Sequence, residues 1–171
     1  MTVRRASLVM LAIIVAGVGI DQITKAVAIA RLVPGEPVPV VSDIVSFQIF
    51  RNPGAAFSTG TSLTVVFSVL ALAVLVAVSV WVVPKVRSMS WAVAVGMGMA
   101  GVAGNFIDRL VRAPGVFRGH VIDFIAVKHF AVFNVADMLL TCAAALIVLI
   151  VFVFKVDLSG ERISYATGKT R

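Results

Sequence analysis

The stretch that decides the fold is MSWAVAVGMGMAGVAGNFIDRL, residues 89–110. It carries no charged residue before its last turn, and about 20 apolar residues are what an α-helix needs to cross the hydrocarbon core of a bilayer. Gly96, Ala100 and Gly104 recur at every fourth position, a spacing that lets a neighbouring helix approach closely. The stretch therefore predicts a membrane-spanning helix packed against other helices.

The rest of the chain supports a membrane environment. Of its 171 residues 60% are apolar and only 13% are charged, whereas about 25% are charged in an ordinary soluble domain. This composition excludes a soluble globule and a disordered chain. We expect one integral-membrane domain over residues 1–171, an all-α bundle of four transmembrane helices near residues 7–30, 62–83, 89–110 and 131–154.

The first apolar block resembles a secretory signal peptide, because Arg4 and Arg5 precede it. However, no small-x-small cleavage site followed by a polar stretch comes after it. We therefore interpret this block as a retained span.

The basic residues predict the orientation of the bundle. The N-terminus, the turn 84–88 and the tail 155–171 hold eight of them, whereas the connections 31–61 and 111–130 hold five in nearly twice the length. Because cytoplasmic loops are richer in Lys and Arg, we expect both termini and the tail inside the cell and both long loops outside. The net charge of +7 is thus read as a topology signal, and nucleic acid is not an expected partner because no long basic run occurs.

The first outer loop predicts a small extracytoplasmic β-sheet, or cradle. Its Pro and Gly cluster at residues 34–39 ends the preceding helix. Apolar and polar side chains then alternate from Val45 to Phe50, which is the period of a strand. One apolar face of such a sheet can rest on the bilayer.

Acidic side chains at membrane depth mark the polar sites. A charge there costs at least about 2.5 kcal/mol, so each one needs a partner or a function. Asp21 and Lys25 are four residues apart on one helix face and predict a salt bridge. Asn105, Asp108 and Arg109 predict a second polar group, with Arg109 pairing with Asp108; this group is either functional or a polar staple between helices.

Two further aspartates, Asp123 and Asp137, have no basic residue at helical pairing distance. Asn134 lies one turn before Asp137 on the same face, and both aspartates belong to the outer side. Two carboxylates within hydrogen-bond reach share a proton, so that one activates water and the other polarises a carbonyl. This predicts peptide hydrolysis without a metal or another cofactor. A hydrogen-bonded carboxyl pair between helices is the structural alternative.

Five motifs taken together resemble lipoprotein signal peptidase, also called signal peptidase II. They follow one another in order over about two-thirds of the chain: DQITK at 21–25, RNPGAAF at 51–57, GNFIDR at 104–109, VIDF at 121–124 and FNVAD at 133–137. Each motif is weak alone, but the ordered set is specific.

The resemblance implies an aspartyl endopeptidase of the bacterial inner membrane. Its substrates would be prolipoproteins whose lipobox cysteine carries diacylglyceryl, cut on the N-terminal side of that cysteine, with membrane lipids as surroundings. By motif matching, Asp123 and Asp137 correspond to the catalytic pair, and Asp21 and Lys25 to a support position. The positions around the active site that contact substrate or the inhibitor globomycin would be Asn52, Gly54, Asn105, Asp108, Arg109 and Asn134.

Two other classes of protein remain as alternatives. A small proton-coupled transporter also uses buried carboxylates in a few spans, but it predicts essential acids near the bilayer midplane. A structural assembly subunit predicts that the aspartates govern association alone. The acids of this chain gather toward the outer side, which favours the peptidase.

Overall fold

A computed structural model of the protein describes residues 1–54 and 62–162. In these residues four helices form a bundle, and all four are long and apolar enough to cross a membrane: Val3–Arg31, Leu63–Lys85, Met89–Val111 and Val135–Phe154. The prediction of a four-span membrane protein is therefore confirmed.

The first helix, α1 (Val3–Arg31), is longer than a bilayer core. The hydroxyl oxygen of Thr2 accepts a hydrogen bond from the Arg5 main-chain N–H at 3.3 Å and caps its start. At 1.5 Å per residue its 29 residues extend about 44 Å, against about 30 Å of hydrocarbon. Its end turns therefore reach the headgroup regions.

The second helix lies on the surface of the bundle. It consists of α2 (Ser62–Ala77), a π-helical turn over Val78–Val82 and a 3₁₀ turn over Val83–Lys85. Pro84 stands in that last turn, where its missing N–H helps to stop the helix. Few of its side chains are buried within the protein, so most of this span is left to contact lipid.

The third helix, α3 (Met89–Val111), packs against both α1 and α4 (Val135–Val148). The small residues make this approach possible. A Cβ added at Gly96 would lie 3.1 Å from the Cβ of Ile13 on α1, and one at Gly101 would lie 2.5 Å from the Ala136 carbonyl oxygen on α4. Two small-residue faces on one helix thus place it at the centre of the bundle.

The fourth span begins later than the sequence predicts. We expected it to start at residue 131, but Ala131–Phe133 is a strand, β4, and the helix starts at Val135 before ending in a π-helical turn over Leu149–Phe154. The reason is Asn134, whose side chain accepts from the Asp137 N–H while the Asp137 carboxylate accepts from the Asn134 N–H, each at 3.1 Å. This capping box fixes the first turn of α4.

A four-stranded antiparallel sheet covers one end of the bundle. Its other strands are β1 (Val38–Val41), β2 (Val45–Asn52) and β3 (Val121–Val127), in the order β1-β2-β3-β4. The predicted sheet is confirmed, and the first loop supplies β1 and β2. The second connection contributes β3 and β4, which the sequence pattern did not indicate. β3 is a nearly continuous apolar run without alternation, which is hard to distinguish from a helix or loop by period.

The register of β2 also departs from simple alternation. Phe47 pairs with Ile125 and Phe50 pairs with Asp123, with an irregularity between them. A bulge of this kind changes which face later side chains occupy. It is part of how Asn52, at the end of β2, reaches Asp123.

The helix contacts predict different effects for two glycines. Gly101→Ala should lower the free energy of unfolding by about 1–3 kcal/mol, because the new methyl group overlaps the Ala136 carbonyl. Gly19→Ala is the control, since nothing lies within 4 Å of its added Cβ. Thermal unfolding in detergent measures both, and equal stability of the two variants would contradict the packing described.

Candidate active site

A buried lysine forms the centre of the polar cluster beneath the sheet. Lys25 is fully buried, and its Nζ contacts Asp21 Oδ2 at 2.9 Å, Asp108 Oδ2 at 2.8 Å and Asn105 Oδ1 at 3.0 Å. An ammonium group has three N–H donors, and here each one has an acceptor. The predicted salt bridge between Asp21 and Lys25 is confirmed, and Asp108 is a second partner that the sequence spacing did not reveal.

The predicted pair of Asp108 with Arg109 was wrong. Asp108 instead accepts from Arg112 Nε at 2.6 Å and from the main-chain N–H of Ile122 at 3.2 Å. Residues four apart share a helix face, whereas consecutive residues diverge. The spacing of four residues therefore favours Arg112 as the partner of Asp108. Arg109 instead donates from Nη1 to the Asn105 carbonyl oxygen at 3.1 Å.

Asp21 also ties α1 to the start of α4. Its Oδ1 accepts from the main-chain N–H of Ala136 at 2.9 Å. The first N–H groups of a helix have no partner within the helix, so a buried carboxylate satisfies one of them here. Gln22 adds a link to α3 by donating to the Gly104 carbonyl oxygen at 3.1 Å.

Lys25 determines which way two amide side chains point. Because an ammonium can only donate, the oxygen of Asn105 must face Lys25 and its Nδ2 donates to Asp137 Oδ1 at 2.8 Å. Asn134 then donates from Nδ2 to Asn105 Oδ1 at 3.1 Å and to Asp123 Oδ1 at 2.6 Å. As a result, both carboxylates face amide donors.

Asp123 and Asp137 come together at the sheet end of the bundle, one on β3 and the other in the first turn of α4. Asn134 links them, because its side chain donates to Asp123 and its main-chain N–H donates to Asp137 Oδ2. Neither carboxylate forms an ion pair with a cation in the part of the chain that the structure describes. They are thus acidic groups held in place by neutral donors.

Asn52 and Gly54 reach the same place from the end of β2. Asn52 Nδ2 donates to Asp123 Oδ2 at 2.9 Å, and its Oδ1 accepts from the Gly54 N–H at 2.8 Å, which fixes the amide orientation. Gly54 has φ of +88°, and a Cβ there would lie 2.8 Å from the Phe67 ring, so this position requires glycine. Residues 55–57 of the same motif lie outside the described residues.

Burial raises the pKa of Asp123 above its usual range. The hydrogen bond from Asn52 lowers it, the negative charge of Asp137 raises it, and the hydrogen bond from Asn134 lowers it; the loss of hydration is the largest of these effects. Asp123 therefore retains its proton to higher pH than an exposed aspartate.

Two apolar cavities open beside these groups. One of about 430 Å³ is lined by Asp137 together with Phe130, Phe133 and Met138. The other, about 250 Å³ between α2, α3 and α4, is lined by apolar side chains with Asn105 and Arg109. Arg109 Nε is buried and has no hydrogen-bond partner among the described residues. No group of three metal-ligating side chains occurs within residues 1–54 and 62–162.

Comparison with known proteins places the chain in a family. Residues 13–153 match the family model described as signal peptidase (SPase) II. The chain belongs to the signal peptidase II family. The match runs from α1 through the span that begins with α4, and it includes every site residue predicted from the sequence.

Individual relatives and solved structures agree with the family assignment. The chain is 44% identical over 133 residues to a lipoprotein signal peptidase of Streptomyces coelicolor, covering 78% of this chain and 65% of that protein. It is 43% identical over 144 residues to one of Mycobacterium avium, covering 84% and 79%.

Two bacterial membrane enzymes solved by the in meso method share the fold. The first has a TM-score of 0.75 and 29% identity over 84% of this chain and 92% of that chain. The second has a TM-score of 0.68 and 25% identity over 91% and 94%. The chain is thus a multi-pass bacterial membrane protein of a peptidase family, and the transporter alternative finds no support.

The buried cluster predicts a large effect of removing its lysine. Lys25→Met leaves two buried carboxylates with less compensation and should cost about 3–5 kcal/mol of stability. Lys128→Met is the control, because Lys128 contacts Asp43 at 2.6 Å but both side chains are largely exposed, and it should cause no measurable loss. Thermal unfolding of both variants in one detergent is the measurement, and an unchanged unfolding temperature for Lys25→Met would contradict the role assigned to the cluster.

Proposed function

We propose that this protein is a lipoprotein signal peptidase of the aspartic type. It removes the signal peptide from diacylglyceryl-modified prolipoproteins by cutting on the N-terminal side of the lipidated cysteine. The observation that carries this proposal is the pair Asp123 and Asp137, which share Asn134 as a hydrogen-bond partner and have no cation bound to them. Membership of the signal peptidase II family supports the same reaction.

The two aspartates have different roles in the proposed mechanism. Because burial raises the pKa of Asp123, Asp123 carries the proton and donates it to the scissile carbonyl oxygen. Asp137, as the base, takes a proton from the water that attacks the carbonyl carbon. When the C–N bond breaks, Asp137 gives its proton to the leaving amine and a hydroxyl of the intermediate returns one to Asp123. Both aspartates thus regain their starting states.

The neighbouring polar residues support this chemistry. Asn52, Asn105 and Asn134 hold the two carboxylates with N–H donors, and Gly54 fixes the orientation of Asn52. The guanidinium group of Arg109, which lines a cavity between the helices, is placed to bind a carbonyl oxygen of the substrate or of the inhibitor globomycin. Asp21, Lys25 and Asp108 stabilise the framework below.

A membrane-embedded substrate fits the surroundings of the pair. The cavity beside Asp137 is largely apolar and includes residues of α4, so a lipidated peptide can enter sideways from the bilayer. Several apolar residues of the sheet region are exposed, among them Val41, Ile44 and Phe130. A sheet with such a surface can rest on the outer leaflet, with both termini in the cytoplasm as the basic residues suggest.

Replacing either aspartate tests the proposal directly. Asp123→Asn and Asp137→Asn should each lower the cleavage rate of a diacylglyceryl-modified precursor by at least about a hundredfold, because a proton donor or the base is lost. Asp43→Asn, on the exposed turn between β1 and β2, is the matched control and should retain activity. Gel-shift assays with purified protein give the rates, and full activity of either dyad variant would refute the assignment.

The pH profile tests the role given to Asp123. Asn52→Leu removes a donor that stabilises the Asp123 carboxylate, so the pKa of Asp123 should rise further. The protonated form of Asp123 then persists to higher pH, so the alkaline limb of the pH profile of kcat/KM should shift to higher pH. Gln48→Leu, the same kind of change on the same strand, should leave the limb in place. A shift to lower pH would show that Asp123 does not carry the proton.

A further inference from the structure

A third cavity, lined by both polar and apolar residues, lies at the end of the bundle opposite the sheet. It measures about 620 Å³, and its lining comes from the start of α1, the start of α3 and the chain after α4. The cationic groups of the lining are the side chains of Arg5 and Arg87 and the N-terminal ammonium of Met1, which donates to the Arg87 carbonyl oxygen at 2.8 Å. Val9 and Met89 are apolar members of the lining near them. Nothing in the peptidase reaction uses this cavity.

The walls of the cavity are well packed. Ala6 and Met10 of α1 form a buried cluster with Val86 and Ala92. The main-chain N–H of Arg87 donates to the Leu158 carbonyl oxygen at 2.8 Å, which holds the chain after α4 against the turn before α3. The two guanidinium groups therefore extend from a fixed frame and not from loose termini.

The charge of the cavity is not balanced by nearby acids. In the described part of the chain, no carboxylate lies within ion-pair distance of Arg5 or Arg87. Asp157, on the neighbouring segment, accepts instead from Ser159 Oγ at 2.7 Å and from the Glu161 N–H at 2.9 Å. Both α1 and α3 also begin here, so that their N-terminal partial charges add to the positive potential.

The depth of the cavity places it at a lipid headgroup region. The length of α1, about 44 Å, exceeds the thickness of the hydrocarbon core, about 30 Å, so the first turn of α1 projects beyond the core. Leu8 and Met89 expose 57% and 55% of their surface next to this end, and these apolar surfaces face the acyl chains. A helix turn that projects beyond the hydrocarbon core lies at the level where a bilayer has its phosphate groups.

We propose that this cavity binds the phosphate headgroup of an anionic phospholipid from the leaflet on the side away from the sheet. Arg5 and Arg87 bind the phosphodiester through charge-assisted hydrogen bonds, which the planar guanidinium group forms well. One acyl chain runs along the exposed apolar surface beside Met89. The site stabilises the N-terminal end of the bundle and is separate from the aspartate pair.

The test compares two double variants with the same change in charge. The protein is placed in nanodiscs of phosphatidylcholine with increasing phosphatidylglycerol, and thermal unfolding reports binding to the folded state. For the double variant Arg5→Gln with Arg87→Gln, about tenfold or more phosphatidylglycerol should be needed to give the same rise in unfolding temperature, because two charge-assisted contacts are lost. The double variant Arg4→Gln with Lys85→Gln changes neighbouring residues that do not line the cavity. Its unfolding temperature should respond to phosphatidylglycerol as that of the unmodified protein does.

The possible outcomes separate a built site from general attraction. Equal loss in both double variants would overturn the proposal and indicate only the basic surface. Stabilisation by inorganic phosphate in phosphatidylcholine nanodiscs, as strong as that by phosphatidylglycerol, would overturn the lipid assignment. Should the first double variant fail to fold, Arg5→Gln and Arg87→Gln are measured singly, and an unchanged response in both would also overturn the proposal.

Discussion

The buried ammonium of Lys25 is the constraint on which the rest of this structure depends. In lipid no water is available to solvate a charge, so the two acids around it and Arg112 must balance one another within the protein. Lys25 and Asp21 come from α1, whereas Asp108 and Arg112 come from α3 and its end. The same carboxylates accept N–H groups from β3 and α4, so a single charge cluster connects three spans and the sheet.

The cluster also explains why particular small residues are needed. A Cβ on Gly104 would lie 2.6 Å from Asp21 Oδ2, which means that the acid occupies the space a side chain would take. Close helix contact and charge balance are thus one requirement, because neither the Lys25 contacts nor the Asp21 contact with α4 can form at a larger distance. The small-residue stripe and the polar motif are two parts of the same interface.

Much of the fold was predictable because the bilayer imposes simple length rules. Four apolar blocks of spanning length gave four helices, and the pair Asp21 and Lys25 followed from a spacing of four. The errors have local causes. The start of α4 moved to Val135 because Asn134 forms a cap, and β3 was missed because a strand buried on both faces lacks alternation. Adjacency along the chain favours Arg109 as the partner of Asp108, whereas helix geometry favours Arg112, which is the partner observed.

The sequence by itself determined the membrane class, the number of spans and the identity of the unusual polar residues, since these depend on composition and on spacing within one helix. Only the tertiary structure decided that β3 pairs with β2 across two connections, that one lysine serves two acids, and that Asn134 joins Asp123 to Asp137. Those contacts link residues far apart in the chain, and their geometry depends on how whole helices pack. No periodicity within a segment carries that information.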